Sequence, residues 1–142
     1  MEDQIKVERV SDEVNLQQVF AIRRKVFVDE QNCPPELEWE FEDESVHFLG
    51  KINGVPAGAS RWRKTQKGYK LERFAVLKEF RGIGMGQALV AAVLKDLPAD
   101  AEYVYLHAQI DAMPLYAKFG FEKVGEQFEE AGIQHYKMVL EL

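Results

Sequence analysis

The chain has 142 residues, of which 46% are hydrophobic, and a formal net charge of -6 at pH 7. This size predicts one globular domain over residues 1–142, with enough apolar residues for a buried core. The acidic balance, with Arg and Lys scattered along the chain, excludes the basic stripe that binds nucleic acid, and no apolar run is long enough to span a membrane. Because the N-terminus is charged where a signal peptide would be apolar, we expect a cytoplasmic protein.

Cysteine and histidine usage limits the possible chemistry. Cys33 is the only cysteine, so we expect neither an internal disulfide nor a cysteine-based metal cluster. The histidines His47, His107 and His135 are not spaced as metal ligands, and we predict that the protein needs no metal. The sequence leaves the oligomeric state open, a homodimer included.

The hydrophobic periodicity changes between strand and helix several times along the chain. Asp12 or Ser11 is placed to cap the first helix, and Asn53-Gly54 is the dipeptide typical of a two-residue hairpin turn. The predicted elements, in chain order, are a strand at 5–9, a helix at 14–26, strands at 46–52, 55–62 and 69–77, a helix that ends before Pro98, a strand at 103–108, a short helix at 113–119, and two strands around Gly132. They predict an α+β fold with a mixed, mostly antiparallel sheet of six to seven strands flanked by helices.

The segment EFRGIGMGQALV, residues 79–90, places three glycines between a predicted strand and a helix. Backbone N–H groups in a first helical turn have no helical partner, and the helix dipole is positive there. Gly82, Gly84 and Gly86 would let a phosphate approach these groups, with Arg81 as a charged donor. The segment therefore predicts a phosphate-bearing ligand, and the alternative is a tight strand-to-helix turn. It matches neither a P-loop nor a dinucleotide fingerprint.

The stretch LERFAVLKEFRGIGMGQALV resembles the acetyl-CoA-binding motif of the GNAT superfamily of N-acetyltransferases, Arg/Gln-x-x-Gly-x-Gly/Ala, which Arg81, Gly84 and Gly86 fill. LHAQIDAMPLYAKFGF is similar to the next motif of that superfamily, and IRRKVFVDEQ and AGIQHYKM resemble the small bacterial ElaA-like subset. The resemblance implies acetyl-CoA as the cosubstrate and an amine as the acceptor. The residues that it assigns to the cofactor are Phe74, Ala75 and Val76 for the pantetheine arm, Arg81, Gly82, Ile83, Gly84, Met85 and Gly86 for the pyrophosphate, and Gln109 on the next strand.

Acyl transfer to an amine needs a general base and a general acid. The resemblance places Tyr116 as the acid, although Tyr116 could instead belong to the core. We predict Glu72 as the base, because alternation puts it on the same face as Phe74 and Val76 unless a bulge gives the position to Arg73. Histidine (His107 or His135) or a water chain remains an alternative base.

The acceptor pocket of the family is built from the region here numbered 23–43 and from the strand hairpins near Ser60 and Trp62. The acidic run in this region either attracts an ammonium group or forms a solvated face; its members are Glu36, Glu38, Glu40, Glu42 and Asp43. Trp39 and Phe41 would close the pocket or pin the loop. Arg23 and Glu30 would pair or cap locally, and their place in the pattern of the ElaA-like subset leaves a role in the pocket open. Two other functions stay open, namely a non-catalytic acyl-CoA sensor or assembly domain and a nucleotide-binding domain.

Overall fold

The computed structural model of the protein describes residues 4–34 and 41–141. Its seven strands are β1 (Ile5–Arg9), β2 (Ser45–Ile52), β3 (Val55–Lys64), β4 (Tyr69–Val76), β5 (Tyr103–Gln109), β6 (Glu122–Glu130) and β7 (Ile133–Glu141). They form one sheet in the order β1-β2-β3-β4-β5-β7-β6, in which only the β4–β5 pair is parallel. Three α-helices flank the sheet: α1 (Glu13–Arg23), α2 (Met85–Asp96) and α3 (Met113–Ala117). This mixed, mostly antiparallel sheet confirms the predicted fold class.

The first helix begins as predicted and ends later than predicted. Asp12 caps it, because its carboxylate accepts a hydrogen bond of 2.7 Å from the backbone N–H of Asn15. The chain does not stop near Val26 but continues in a π-helical segment over Arg24–Glu30. Such segments are rare and often lie at functional sites. The segment over Arg24–Glu30 contacts β4.

The hairpin between β2 and β3 confirms the turn that the sequence predicts. Asn53 and Gly54 have φ angles of 51° and 83°, the pair of left-handed residues that a two-residue type I′ turn requires. Ile52 and Val55 are consequently direct partners in the antiparallel ladder. The register of the hairpin fixes which side chains of β2 and β3 share a face.

The two long helices cover opposite faces of the sheet. Helix α2 lies against the face that contains Phe48, Leu71 and Leu106, where Val90 and Val93 are fully buried. Helix α1 lies against the other face, and the apolar cluster buried there consists of Val19, Ile22, Val26, Leu49, Ala59 and Ala75. Within 4–34 and 41–141, no helix has the length and apolarity needed to cross a membrane.

Candidate active site

A cleft opens in the sheet where β4 and β5 separate. Their parallel pairing begins at Tyr69 and Val104 and ends at Leu71 and Leu106. Beyond that point the facing edges of the two strands do not pair with each other, and a cavity of about 320 Å³ lies between them. Its lining includes the predicted catalytic residues together with basic, acidic and histidine side chains: Arg63, Lys70, Glu72, Arg73, Phe74, His107, Gln109, Tyr116, Glu130 and His135.

A bulge in β4 decides which side chains face which helix. Arg73 has a φ of 58°, and the β3–β4 register changes from Arg61 opposite Glu72 to Ala59 opposite Ala75. Strand β4 therefore contains one extra residue at this point. Glu72 lies on the α1 face beside Arg61, whereas Phe74 packs with the core under α2. The simple alternation that would put Glu72 on the same face as Phe74 does not hold.

The glycine loop leads directly into helix α2. Gly82 and Gly84 have φ angles of 84° and 98°, a region that side chains disfavour, and Gly84 is the N-cap residue of α2. A Cβ added to Gly82 would meet no atom within 4 Å. The loop thus presents backbone N–H groups at a helix N-terminus with open space beside them, which suits an anionic group.

The other residues of the loop differ from one another in their surroundings. A Cβ at Gly86 would lie 3.3 Å from Leu115 Cδ2, so this glycine permits close packing of α2 against the segment of α3. The Met85 side chain is buried in the core and Ile83 is exposed. The side chain of Met85 is therefore not available to a ligand, and only its backbone is.

Arg81 already holds two partners in this structure. Its Nε donates a 2.9 Å hydrogen bond to the carbonyl of Val76, and its Nη atoms donate 2.9 Å hydrogen bonds to both carboxylate oxygens of Glu30. These bonds lower the pKa of Glu30. The partner of Glu30 is therefore distant in sequence, and local pairing, which the sequence suggested, is wrong.

Gln109 lies at the end of β5 and is paired across the cleft. It donates a 3.0 Å hydrogen bond to the side-chain oxygen of Gln31, and Gln31 returns one of 3.3 Å. Gln31 directly follows the π-helical segment. The last residue of that segment, Glu30, and the residue that follows it, Gln31, thus hold two of the predicted cofactor ligands.

Tyr116 is 6% exposed and lies at the wall of the cleft. Its ring makes edge contacts with Phe74 and Phe121, at centroid distances of 5.5 and 6.2 Å. Burial raises the pKa of the Tyr116 phenol well above its ordinary value, so the hydroxyl is protonated at neutral pH. A protonated phenol beside a cleft can donate to a leaving group. Both the acid role and a share in the core are compatible with this position.

Glu72 is surrounded by cations. Its Oε1 accepts hydrogen bonds from Arg61, at 3.0 and 2.7 Å, and from Arg63, and Lys70 Nζ lies 3.4 Å from Oε2. Burial opposes ionisation, but the charges of Arg61, Lys70 and Arg73 and the hydrogen bond from Arg63 lower the pKa of Glu72 to about 2. A carboxylate held in this way is a weak acceptor for a proton from an amine.

Two further charged residues join this cluster across the α1 face. Arg23 donates to both carboxylate oxygens of Glu42, at 2.9 and 2.7 Å, and Arg61 lies 3.2 Å from the same carboxylate. Arg23 and Arg61 are 1% and 0% exposed. Glu42 is therefore part of a buried ion network, neither a solvated acid nor a free attractor for ammonium. Glu36, Glu38, Trp39 and Glu40 lie outside the described residues.

The sequence carries one signal for this network. Arg61 and Arg63 alternate along β3, and Lys70 and Glu72 alternate along β4, which places all four on one face. Burial of charged side chains is uncommon unless they are paired, so this pattern by itself favours the surface.

Histidine side chains lie on the opposite wall of the cleft, around Glu130. His107 Nδ1 lies 3.5 Å from Glu130 Oε1. His135 Nδ1 lies 2.7 Å from the carbonyl oxygen of Ile133, so it is the donor, and Nε2 lies 3.8 Å from Glu130 Oε2. The hydrogen bond to His107 lowers the pKa of Glu130. Across 4–34 and 41–141, no group of His, Cys, Asp or Glu is placed to hold a metal ion, and metal independence stays a prediction.

The fold is similar to that of an acyl-CoA N-acyltransferase from Pseudomonas aeruginosa, with a TM-score of 0.81 at 25% identity, covering 97% of this chain and 99% of that chain. Residues 8–142 match the family model described as an acetyltransferase (GNAT) domain. The chain therefore belongs to the GNAT acetyltransferase family.

Individual relatives agree with this assignment. The chain is 41% identical over 132 residues to the uncharacterized N-acetyltransferase YjcF of Bacillus subtilis (strain 168), covering 90% of this chain and 94% of YjcF. The crystal structure of Escherichia coli ElaA superposes with a TM-score of 0.83 at 28% identity, covering 97% of this chain and 100% of ElaA. A GNAT family acetyltransferase from Elizabethkingia anophelis, solved with acetyl-CoA bound, has a TM-score of 0.70 at 16% identity, covering 97% and 98% of the two chains.

Proposed function

We propose that the protein transfers an acetyl group from acetyl-CoA to a primary amine of a small molecule or peptide by direct attack. The observation that carries the proposal is the cleft between β4 and β5, whose unpaired β4 edge leads along the chain into the glycine loop. Family membership supports acetyltransferase chemistry, and the neighbour solved with acetyl-CoA supports the choice of cosubstrate.

The unpaired strand edges and the loop would hold the cosubstrate. Backbone groups of Phe74, Ala75 and Val76 lie on the edge of β4 that has no partner in β5, and they can pair with the amides of a pantetheine arm. The N–H groups from Gly82 to Gly86 would hold the pyrophosphate. Arg81 and Gln109 can contribute after sharing or releasing Glu30 and Gln31.

The acetyl thioester supplies an activated carbonyl carbon. In the transfer, the nitrogen lone pair of the amine forms the new C–N bond, the C–S bond breaks, and sulfur keeps the bonding electrons. We assign Tyr116 to donate a proton to that sulfur, because its buried hydroxyl is protonated and makes no hydrogen bond to the described residues. Water or the next substrate amine can restore the phenol proton.

The amine must also lose a proton, and the base needs a free lone pair. Glu72 is held by Arg61, Arg63 and Lys70, so we assign it to position these cations. His107 is the better candidate, because donation from Nδ1 to Glu130 leaves Nε2 as an acceptor beside the cleft.

An acceptor screen tests the proposal. The protein is incubated with acetyl-CoA and a panel of amines, release of CoA thiol is followed, and the acetylated product is identified by mass. Amine-dependent release supports transfer. Release without any amine dependence, with acetyl-CoA still raising the melting temperature, favours an acyl-CoA sensor. Greater stabilisation by ATP or NAD than by acetyl-CoA would contradict both.

A further inference from the structure

Two basic side chains lie directly opposite each other on the floor of the cleft. Arg63 of β3 and Lys70 of β4 are partners in the antiparallel ladder, so their side chains share the α1 face. Each side chain is only 13% exposed, and both line the cavity. Like charges in directly opposed positions destabilise a sheet, and a net charge of -6 gives the protein no general excess of cations.

Arg63 and Lys70 share one carboxylate with a third cation. Glu72 is shared by Arg61, Arg63 and Lys70, and the second carboxylate, Glu42, is shared by Arg61 and Arg23. The positive charges of Arg63 and Lys70 repel each other in this arrangement, and an anion bound between them would reduce that repulsion.

Arg63 keeps donors available for an anion. Its Nε binds Glu72, and its guanidinium carbon lies 4.0 Å from the centroid of the Phe41 ring. The Nη atoms make no hydrogen bond to any residue in the described ranges. A stacked guanidinium with free Nη groups is suited to a carboxylate or phosphate.

We infer that the acceptor is an amine that also carries an anionic group, a carboxylate or a phosphate, which Arg63 and Lys70 bind on the floor of the cleft. The inference rests on the proposed function and specifies its substrate class. The anion would occupy the side of the cavity formed by β3 and the start of β4. The amine would then point along β4 towards its bulge, with His107 and Tyr116 on the walls. Glu72 shares the cations with the substrate and fixes their positions.

Matched acceptors test the inference. The probes are 4-aminobutyrate with 4-aminobutanamide and 1,4-diaminobutane, glycine with glycinamide, and O-phosphoethanolamine with ethanolamine. Rates are expressed per concentration of unprotonated amine, so that differences in amine basicity cancel. We expect kcat/KM to be about 10–100-fold higher for the anionic member of the productive set. The carboxylate and phosphate sets distinguish the two anions.

Variants test whether the preference for an anionic acceptor depends on Arg63 and Lys70. Arg63→Gln and Lys70→Gln should each raise KM for the anionic acceptor about tenfold or more and reduce its advantage over the neutral partner. Arg63→Lys, which keeps the charge, should retain part of the advantage. Lys64→Gln, which removes an exposed charge of the same strand, should leave the ratio unchanged.

Several outcomes would overturn the inference. Equal kcat/KM values within each matched set would do so, as would a preference for 1,4-diaminobutane, while the proposed transferase function would survive either result. If no amine is acetylated, the proposed function fails instead. Calorimetric titration of N-acetyl-4-aminobutyrate into the wild-type protein with CoA then decides the subsite, because binding supports it and absence of binding contradicts it.

Discussion

The two faces of the sheet surround the same cleft with different chemistry. Under α2, the interior is apolar, with Val90 and Val93 against Leu71 and Leu106. Under α1, apolar packing gives way towards the cleft to the network centred on buried Arg61. Apolar packing fixes shape without direction, whereas ion pairs fix the positions of individual polar atoms. The α2 face can therefore support a glycine loop, and the α1 face can position charged groups for an acceptor.

Tyr116 lies on the apolar side and should show the largest effect. Tyr116→Phe keeps the ring contacts with Phe74 and removes the proton, so we expect kcat to fall by roughly 10²–10⁴ with little change in acetyl-CoA affinity. Steady-state kinetics and calorimetry measure the two quantities. Tyr69→Phe, in the same core, is the control. Full activity of Tyr116→Phe would contradict the acid role and would mean that the side chains on the α2 side of the cleft contribute packing only.

His107 stands on the opposite wall and should have the next largest effect. His107→Gln keeps a hydrogen-bonding side chain but removes the imidazole nitrogen that would accept the proton, so kcat/KM should fall by roughly 10²–10³ in steady-state kinetics. Glu72→Gln is the comparison, because only one of the two candidate bases can account for such a loss. A full rate in His107→Gln together with a loss of this size in Glu72→Gln would return the base role to Glu72.

The ion network should make the free energy of unfolding fall as the pH is lowered. The pKa of Glu72 is about 2 in the folded protein and 4.5 ordinarily, so its stabilising contribution is complete above pH 4.5 and is lost as pH falls towards 2. Glu72→Gln should lower the free energy of unfolding by about 3 kcal/mol at pH 7. In urea titrations, the difference from wild type should shrink between pH 4.5 and 2. Glu122→Gln, at an exposed site of β6, is the control, and a difference independent of pH would contradict the ion-pair account.

The glycine loop allows a matched comparison with a turn far from the cleft. Gly82 and Gly54 have φ angles of 84° and 83°, and neither has an atom within 4 Å of an added Cβ. Valine should strain both positions similarly, but only Gly82→Val should weaken acetyl-CoA binding, by roughly 10–100-fold. Thermal shift with and without acetyl-CoA measures both effects. If acetyl-CoA raises the melting temperature of the two variants equally, the glycine loop does not belong to the binding site.

The fold was predictable because its signals are local. The Asp12 cap, the Asn53-Gly54 turn and the glycines before α2 each act within a few residues, and the structure has a cap, a type I′ turn and a helix start at those positions. The ion network was not predictable in this way. Arg23 and Glu42 meet only after folding, and the bulge at Arg73 occurs without a glycine to indicate it. That bulge is also why alternation misplaced Glu72.

The π-helical segment determines the direction, around the helix axis, in which the side chains at its end point. The backbone N–H of Gln31 bonds to the carbonyl of Val26, five residues earlier, so this turn holds one residue more than an α-helical turn. One residue corresponds to a rotation of about 100° around a helix axis. Deleting a residue between Arg24 and Glu30 would restore α-helical geometry and turn Glu30 and Gln31 away from Arg81 and Gln109. A single extra residue in one helical turn is thus enough to bring two side chains to Arg81 and Gln109.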